Sequence, residues 1–320
     1  MAVKTVGSMA SGGNIFDDTN PVDVGAKTPG TAIIASRKDH IHAIPEATTG
    51  AAGSMSSADK TKLNGLREPL TANRDYYVRT DGNDANTGLV NNAGGAFLTV
   101  QKAIDVAATL ETMTYDVVIN IADGTYVSNT ITCKNIIGSG GVAIIGNTTT
   151  PENVVVDGGF FKNTPGTVYL TRGMKLIKSS GSAIYGILCQ AGGFIYFDKL
   201  DFSTGFTYHV YALDGGIVIA NGIYTISGGA TYHFYSDFNG NIRVDNITVT
   251  LTGTPAFSLF AVALTVSVLK SNGVTWTGSA TGARFAVRMN GVINTNGAGA
   301  TYFPGDSAGW TDSATGGQYV

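Results

Sequence analysis

A repeat of about 24 residues constrains this chain more than any other feature. From position 182 the sequence stacks as SAIYGILCQAGGFIYFDKLDFSTG, FTYHVYALDGGIVIANGIYTISGG, ATYHFYSDFNGNIRVDNITVTLTG and TPAFSLFAVALTVSVLKSNGVTWTG, blocks of 24, 24, 24 and 25 residues. A period of this size marks a repeat architecture in which each unit packs on the next. Every block ends in glycine, and Gly181, Gly205, Gly229, Gly253 and Gly278 read as corners where a residue tolerant of positive φ turns the chain. Between corners, runs such as GIVIANGIYTI and NIRVDNITVTL alternate with the period of a strand. Their Ile, Val, Thr and Tyr content excludes a helical array. The expected fold is a parallel β-solenoid with rungs about 4.8 Å apart. Less regular rungs extend it over residues 116–303, roughly eight in a prism about 40 Å tall. The crossover rule makes the coil right-handed, and Tyr208, His209 and Tyr211 then lie near Tyr232, His233 and Tyr235.

Composition removes several function classes. The chain has 320 residues, 43 glycines, 13% charged residues and a net charge of −3. No surface is expected to neutralise phosphates, so nucleic acid is not an expected partner. The N-terminal MAVKTVGSMASGGNIF lacks the apolar core of an ordinary secretory signal. The best apolar run, AFSLFAVALTVSVL, has 14 residues, too few to cross a bilayer, and reads as buried strand. Synthesis in a cytoplasm without membrane insertion is the expectation. Cys133 and Cys189 belong to no metal-spaced pair and read as small buried side chains without a disulfide.

Two short helices are expected ahead of the repeats. AFLTVQKAIDVAATLE puts Val100, Ile104, Ala107 and Ala108 on one helical face with Thr99 as N-cap. Such a helix would cover the open end of the solenoid. In SMSSADKTKLNGL, Ser56 and Asp59 form a capping box before Leu63 and Leu66, on a helix too short to be stable alone. Residues 1–37, rich in small and turn-forming types, read as an extended attachment segment.

These residues carry a resemblance. YYVRTDGNDANTG followed by GGAFLTVQKAIDVAA resembles the start of the right-handed parallel β-helix proteins of bacteriophage tail fibres, tailspikes and head spikes, which share the pectin-lyase-like fold. TNGAGATYFPGDSAG is similar to their closing segment, and RKDHIHAIP and GSMSSADKTKLNGL look like linker motifs of phage fibres. The resemblance implies an all-β, single-stranded right-handed parallel β-helix with an N-terminal capping helix, preceded by an elongated trimeric segment. The expected divisions are a virion-attachment segment at 1–37, a trimeric linker at 38–75, a cap at 76–115, the β-helix at 116–303 and a C-terminal cap at 304–320. The implied function is a homotrimeric virion component joined to a tail or capsid protein and binding a host surface polysaccharide or lipopolysaccharide. A glycan-cleaving tailspike and a purely structural vertex or tail spike are the alternatives.

Three groups of residues are candidates for chemistry. His40 and His42 alternate in DHIHA, so an extended chain points both imidazoles to one side, and a threefold axis would gather six nitrogens, a set suited to iron or zinc. The competing role for the pair is solvated or stacked linker histidines without metal. Strand alternation places Tyr208, Val210, Tyr232 and Phe234 on one side and His209, Tyr211, His233 and Tyr235 on the other. If Val210 and Phe234 are inside, the histidines face out, forming with Tyr211 and Tyr235 either a subunit interface or a glycan groove. Asp214 and Asp237 fall on adjacent rungs with Asp198, Asp201 and Asp245 nearby, but their neighbours are turn formers, so turn-making is the favoured role over paired-carboxylate hydrolysis. Arg172, Lys175 and Lys178 have no calcium-binding acidic cluster beside them, as a lyase would need.

Overall fold

The computed structural model describes residues 47–51, 53–180 and 184–320. His40 and His42, the segment 1–37 and the first part of the linker lie outside the described residues. The chain divides after Leu66 into two units. In the first, helix α1 (Ser57–Asn64) is N-capped by Ser56 as expected, Ser56 Oγ accepting from Asp59 N at 3.1 Å, but the Asp59 carboxylate accepts from the Ser56 hydroxyl at 2.8 Å, not from the backbone N–H that a capping box uses. It buries no residue, and Leu63 and Leu66 are exposed.

The second unit is a parallel β-solenoid of about eight turns. Every strand pairing in it is parallel, and the strands line up on three faces. The first face runs from Arg74–Val78 through Val117–Ile121, Val142–Ile145, the leading halves of Tyr169–Ile177 and Phe194–Phe202, and then Ile217–Ala220, Asn241–Asp245, Val268–Asn272 and Val292–Asn294. The second carries Tyr185–Cys189, Tyr208–Ala212, Ala230–Ser236, Ala256–Ala263 and Thr281–Val287. The third includes Tyr224–Ile226, Thr248–Leu251 and Thr275–Thr277. Inward columns such as Ile195, Val218, Ile242, Leu269 and Ile293 stack without exposure and form one continuous core. At about 25 cal/mol per Å² of apolar surface, this stacking is the main source of stability.

Helix α2 (Val100–Ala107) packs on the first strands and buries Val100, Ala103, Ile104 and Ala107. Thr99 Oγ1 caps it, accepting from Lys102 N at 3.2 Å, and Gln101 ties it to the backbone of Thr132 at 2.7 and 3.3 Å. The long apolar run is two strands, not one: the chain turns between them through Thr265 and Val266, at φ 34° and 59°.

The repeat is less strict than 24. Tyr208 pairs with Tyr232 and Ile217 with Asn241 at that spacing, but Tyr224 pairs with Val249 and Ala230 with Phe257. Ile223 is therefore level with Thr248, one place from Ile247. The extra residues sit in turns, at Asn246 (φ 53°) and around Gly253–Thr254 (φ 72° and 51°), where they leave the inward columns undisturbed. Gly205, Gly253 and Gly278 have the expected positive φ. Gly229 does not, and its glycine answers a close approach instead: a Cβ there would lie 2.4 Å from the Ala256 carbonyl oxygen.

Candidate functional site

The second face places the two TYHxY segments on adjacent rungs, and it corrects the expected orientation of their histidines. Tyr208, Tyr211, Tyr232 and Tyr235 are partly exposed, whereas His209 and His233 are wholly buried beside Val210 and Phe234. Alternation fails because the solenoid bends here, and two consecutive residues of each strand point inward. The same corner holds Gly159 and Gly186 on the preceding rungs. At Gly186 a Cβ would come within 3.2 Å of the Phe202 ring, so the ring takes the space that the next two rungs give to imidazoles.

The buried histidines form a directed chain. His209 Nε2 lies 3.1 Å from the Ser203 carbonyl oxygen, which only accepts, so this nitrogen carries the proton. His209 Nδ1 is then an acceptor, and His233 Nδ1–H donates to it at 3.0 Å. His233 Nε2 in turn accepts from Tyr224 Oη at 2.9 Å. Every ring nitrogen is satisfied with both rings neutral. Burial pushes His209 down to about 3, the Ser203 bond opposing it only partly, and burial and then His209 hold His233 well below its ordinary value. Phe202 stacks on His209 at 5.3 Å and Phe260 lies 4.8 Å from His233. These histidines are core residues, and Tyr211 and Tyr235 alone of the four candidates reach the surface.

Above them the tyrosines form a plate. Tyr208 stacks on Tyr232 at 5.2 Å and on Tyr211 at 4.7 Å, Tyr211 meets Tyr235 edge-on at 5.1 Å, and Tyr232 meets Tyr235 at 4.8 Å. The plate continues into a second apolar cluster outside the solenoid, in which Val262, Leu264 and Ala286 are buried under Tyr232, Tyr235 and Leu259. Registered pairing gives one outward column of Phe161, Leu188, Tyr211, Tyr235, Val262, Ala286 and Trp310. At one strand spacing per rung this uncharged stripe is about 30 Å long. Burial pushes the Tyr211 phenol up to about 12, with the Asp237 charge adding to it.

Beside the stripe runs a ridge of turn tips. Phe238, Val266 and Met289 are 54%, 59% and 48% exposed and have φ of 44°, 59° and 57°. A β-branched residue is strained in that left-handed region. The turns are held in register, with Gly215 N, Asn239 N and Val266 N donating to the carbonyls of Phe238, Thr265 and Met289 at 3.3, 3.1 and 3.0 Å. Sequence periodicity missed this ridge, because a turn tip has no alternation to read.

The carboxylates are structural. Asp237 Oδ1 accepts from Phe238 N at 2.8 Å, and Asp214 occupies a turn at φ 49°. Asp201 accepts from Ser227 N and Oγ at 3.1 and 2.8 Å and faces Lys175 at 3.5 Å. Asp198 faces Arg172 at 2.9 Å, and Lys178 lies 3.8 Å from Asp157. Burial pushes the Asp245 carboxyl up, but bonds from Arg243 and Lys270 more than offset this and hold it below its ordinary value. A general acid in a glycosidase needs the opposite shift.

Cys133 and Cys189 are buried free thiols, and both are pushed up by burial. Between them in the inward stack lies Lys162, fully buried, whose ammonium bonds Asn135 and Thr164. No group of three or more metal-ligating side chains occurs among the described residues. No family model, curated protein or solved structure matches this chain.

Proposed function

We propose that this chain is the subunit of a homotrimeric fibre or spike of a phage or phage-like particle, attached through its N-terminal third to a tail or capsid protein and binding a host surface polysaccharide or lipopolysaccharide through its β-helix. The observation that carries the trimer is the outward apolar stripe from Phe161 to Trp310. Phe161, Tyr211, Tyr235 and Trp310 reach the surface along it, while Leu188, Val262 and Ala286 between them are already buried within the chain, and a row of surface aromatics of this length invites aggregation unless another surface covers it. The stripe is straight, uncharged and parallel to the solenoid axis, which fits a second copy of the same rod in register. Helix α1, with Leu63 and Leu66 exposed and no residue buried among the described residues, would also gain a core from partner copies. His40 and His42 of three chains would converge near the axis and hold iron or zinc.

Adhesion without cleavage is the favoured chemistry, because the aspartates on the rungs are occupied by turns and cations. Sedimentation equilibrium of the purified chain tests the assembly, with a trimer expected and a stable monomer overturning it. Incubation with capsule or lipopolysaccharide, followed by sizing of the glycan, tests the chemistry. Binding without shortening is expected, and shortened products would establish the glycosidase alternative.

A further inference from the structure

The first face differs from the apolar second face in carrying two outward columns with charged members, one mixed and one polar. One reads Leu170, Tyr196, Ile219, Arg243 and Lys270; the other reads Arg172, Asp198, Asn221, Asp245 and Asn272, the last places following from the strand register. Between them lies a groove of about 230 Å³ lined by Tyr196, Ile219, Asn221, Arg243 and Asp245. Tyr196 is packed against Phe194, ring centroids 4.7 Å apart, so its ring is held in place by a second aromatic on the same strand.

Asp245 gives the groove its chemistry. Its side chain is nine-tenths buried, and one oxygen receives both Arg243 Nε, at 2.5 Å, and Lys270 Nζ, at 3.0 Å. The other oxygen is buried with no donor among the described residues. An unmatched buried carboxylate oxygen is costly, and a hydroxyl is a donor of suitable size. Asn221 is exposed one rung away and offers both a donor and an acceptor, while Arg243, about half exposed, offers its remaining guanidinium N–H groups. Aromatic face, carboxylate, amide and guanidinium are the groups that together match a polyhydroxylated ring with one apolar side. The columns run along the solenoid axis, and a pyranose ring is about as long as one rung is high.

We infer that this groove is a saccharide-binding subsite, in which a sugar chain lies along the axis, stacks on Tyr196 and is hydrogen-bonded by Asn221, Arg243 and Asp245. It rests on the reading of the chain as a glycan-binding spike and assigns the glycan to the first face, leaving the second to the subunits. Cleavage is not part of it: Asp198 and Asp245 lie two rungs apart, but each is paired with cations and Asp245 is held ionised.

The test uses the full chain on a printed array of bacterial capsular and O-antigen polysaccharides, with three proteins: unaltered, Tyr196→Ala and Asn221→Trp. Both substituted positions point outward, so melting temperatures should stay unchanged. Tyr196→Ala is expected to weaken binding about tenfold, and Asn221→Trp to abolish it by filling the groove. Tyr196→Ala decides alone if the bulkier change unfolds the rung. Variants that bind like the unaltered chain would overturn the groove and leave the adhesion reading standing. An unaltered chain that binds no polysaccharide on the array would overturn both.

Discussion

His209 and His233 meet Nδ1 to Nδ1 at 3.0 Å across one rung, and only one proton arrangement satisfies the bond. Both rings are neutral in the folded chain, while an unfolded histidine titrates near 6.5. Between that value and about 3, the unfolded state binds more protons at His209 than the native state does. Stability is therefore complete above the unfolded value and falls as pH falls through this window, by about 1.4 kcal/mol per pH unit from His209, with His233 acting in the same direction. Urea midpoints measured between about pH 7 and about pH 5, above most carboxylate titration, should decline. The double variant His209→Gln/His233→Gln, with no titrating ring, should show a flatter profile at lower overall stability. An unchanged slope in that variant would remove the histidines from the acid response.

Tyr224 closes the chain at the other end. Tyr224→Phe strips the donor from His233 Nε2, and moving the His233 proton to that nitrogen would leave two Nδ1 lone pairs facing each other. Neither tautomer repairs the loss, so the substitution should cost about 1–3 kcal/mol. Denaturant unfolding checks it, and a cost below about 0.5 kcal/mol would mean that the hydroxyl is dispensable.

Lys162 is expected to behave in the opposite way. It is buried in the inward stack with neutral partners, and burial pushes its ammonium below its ordinary range, the neighbouring cysteine thiols only partly opposing this. Lys162→Met keeps the length of the side chain and removes the desolvated charge. Stability should be unchanged or rise by about 1–3 kcal/mol. A clear loss would assign Lys162 a structural role through Asn135 and Thr164 that outweighs its desolvation.

The fold was legible because a period of 24 with strand alternation admits few architectures, and the aromatic segments were correctly placed on neighbouring rungs. Facing was not legible at the corner. The aligned pairs Tyr185–Gly186, Tyr208–His209 and Tyr232–His233 did hold a signal. A position that is glycine on two rungs, Gly159 and Gly186, and histidine on the next two is one where volume is shared with the core, as Phe202 shares it beneath His209. The groove was not legible for another reason. Tyr196, Asn221 and Asp245 are 25 and 24 residues apart, and only the strand register brings them together.

The metal expectation has its own readout. If His40 and His42 of three chains form one site, elemental analysis of the purified trimer should find about one iron or zinc ion per three chains. The variant His40→Ala/His42→Ala should lose it while the β-solenoid keeps its circular dichroism. A metal-free trimer would leave these histidines a packing role alone.

The tyrosine plate separates the assembly reading from a receptor reading. Tyr211 and Tyr235 are surface aromatics in the middle of the apolar stripe, so Tyr211→Ala/Tyr235→Ala leaves the inward columns intact. At a subunit interface each truncation should cost about 1–3 kcal/mol per copy, multiplied over three chains. The trimer should then dissociate at lower temperature and at higher protein concentration than the unaltered one, with little change in the fold of each rod. In a receptor site the same variant would remain a heat-resistant trimer and stop adsorbing to host cells. Trp310→Ala, at the exposed end of the same column, discriminates further: an interface running the length of the stripe predicts a second, smaller loosening there, whereas a receptor site confined to the tyrosines predicts none. Loss of adsorption in the double variant with an intact trimer would overturn the interface and make the plate the surface that meets the host.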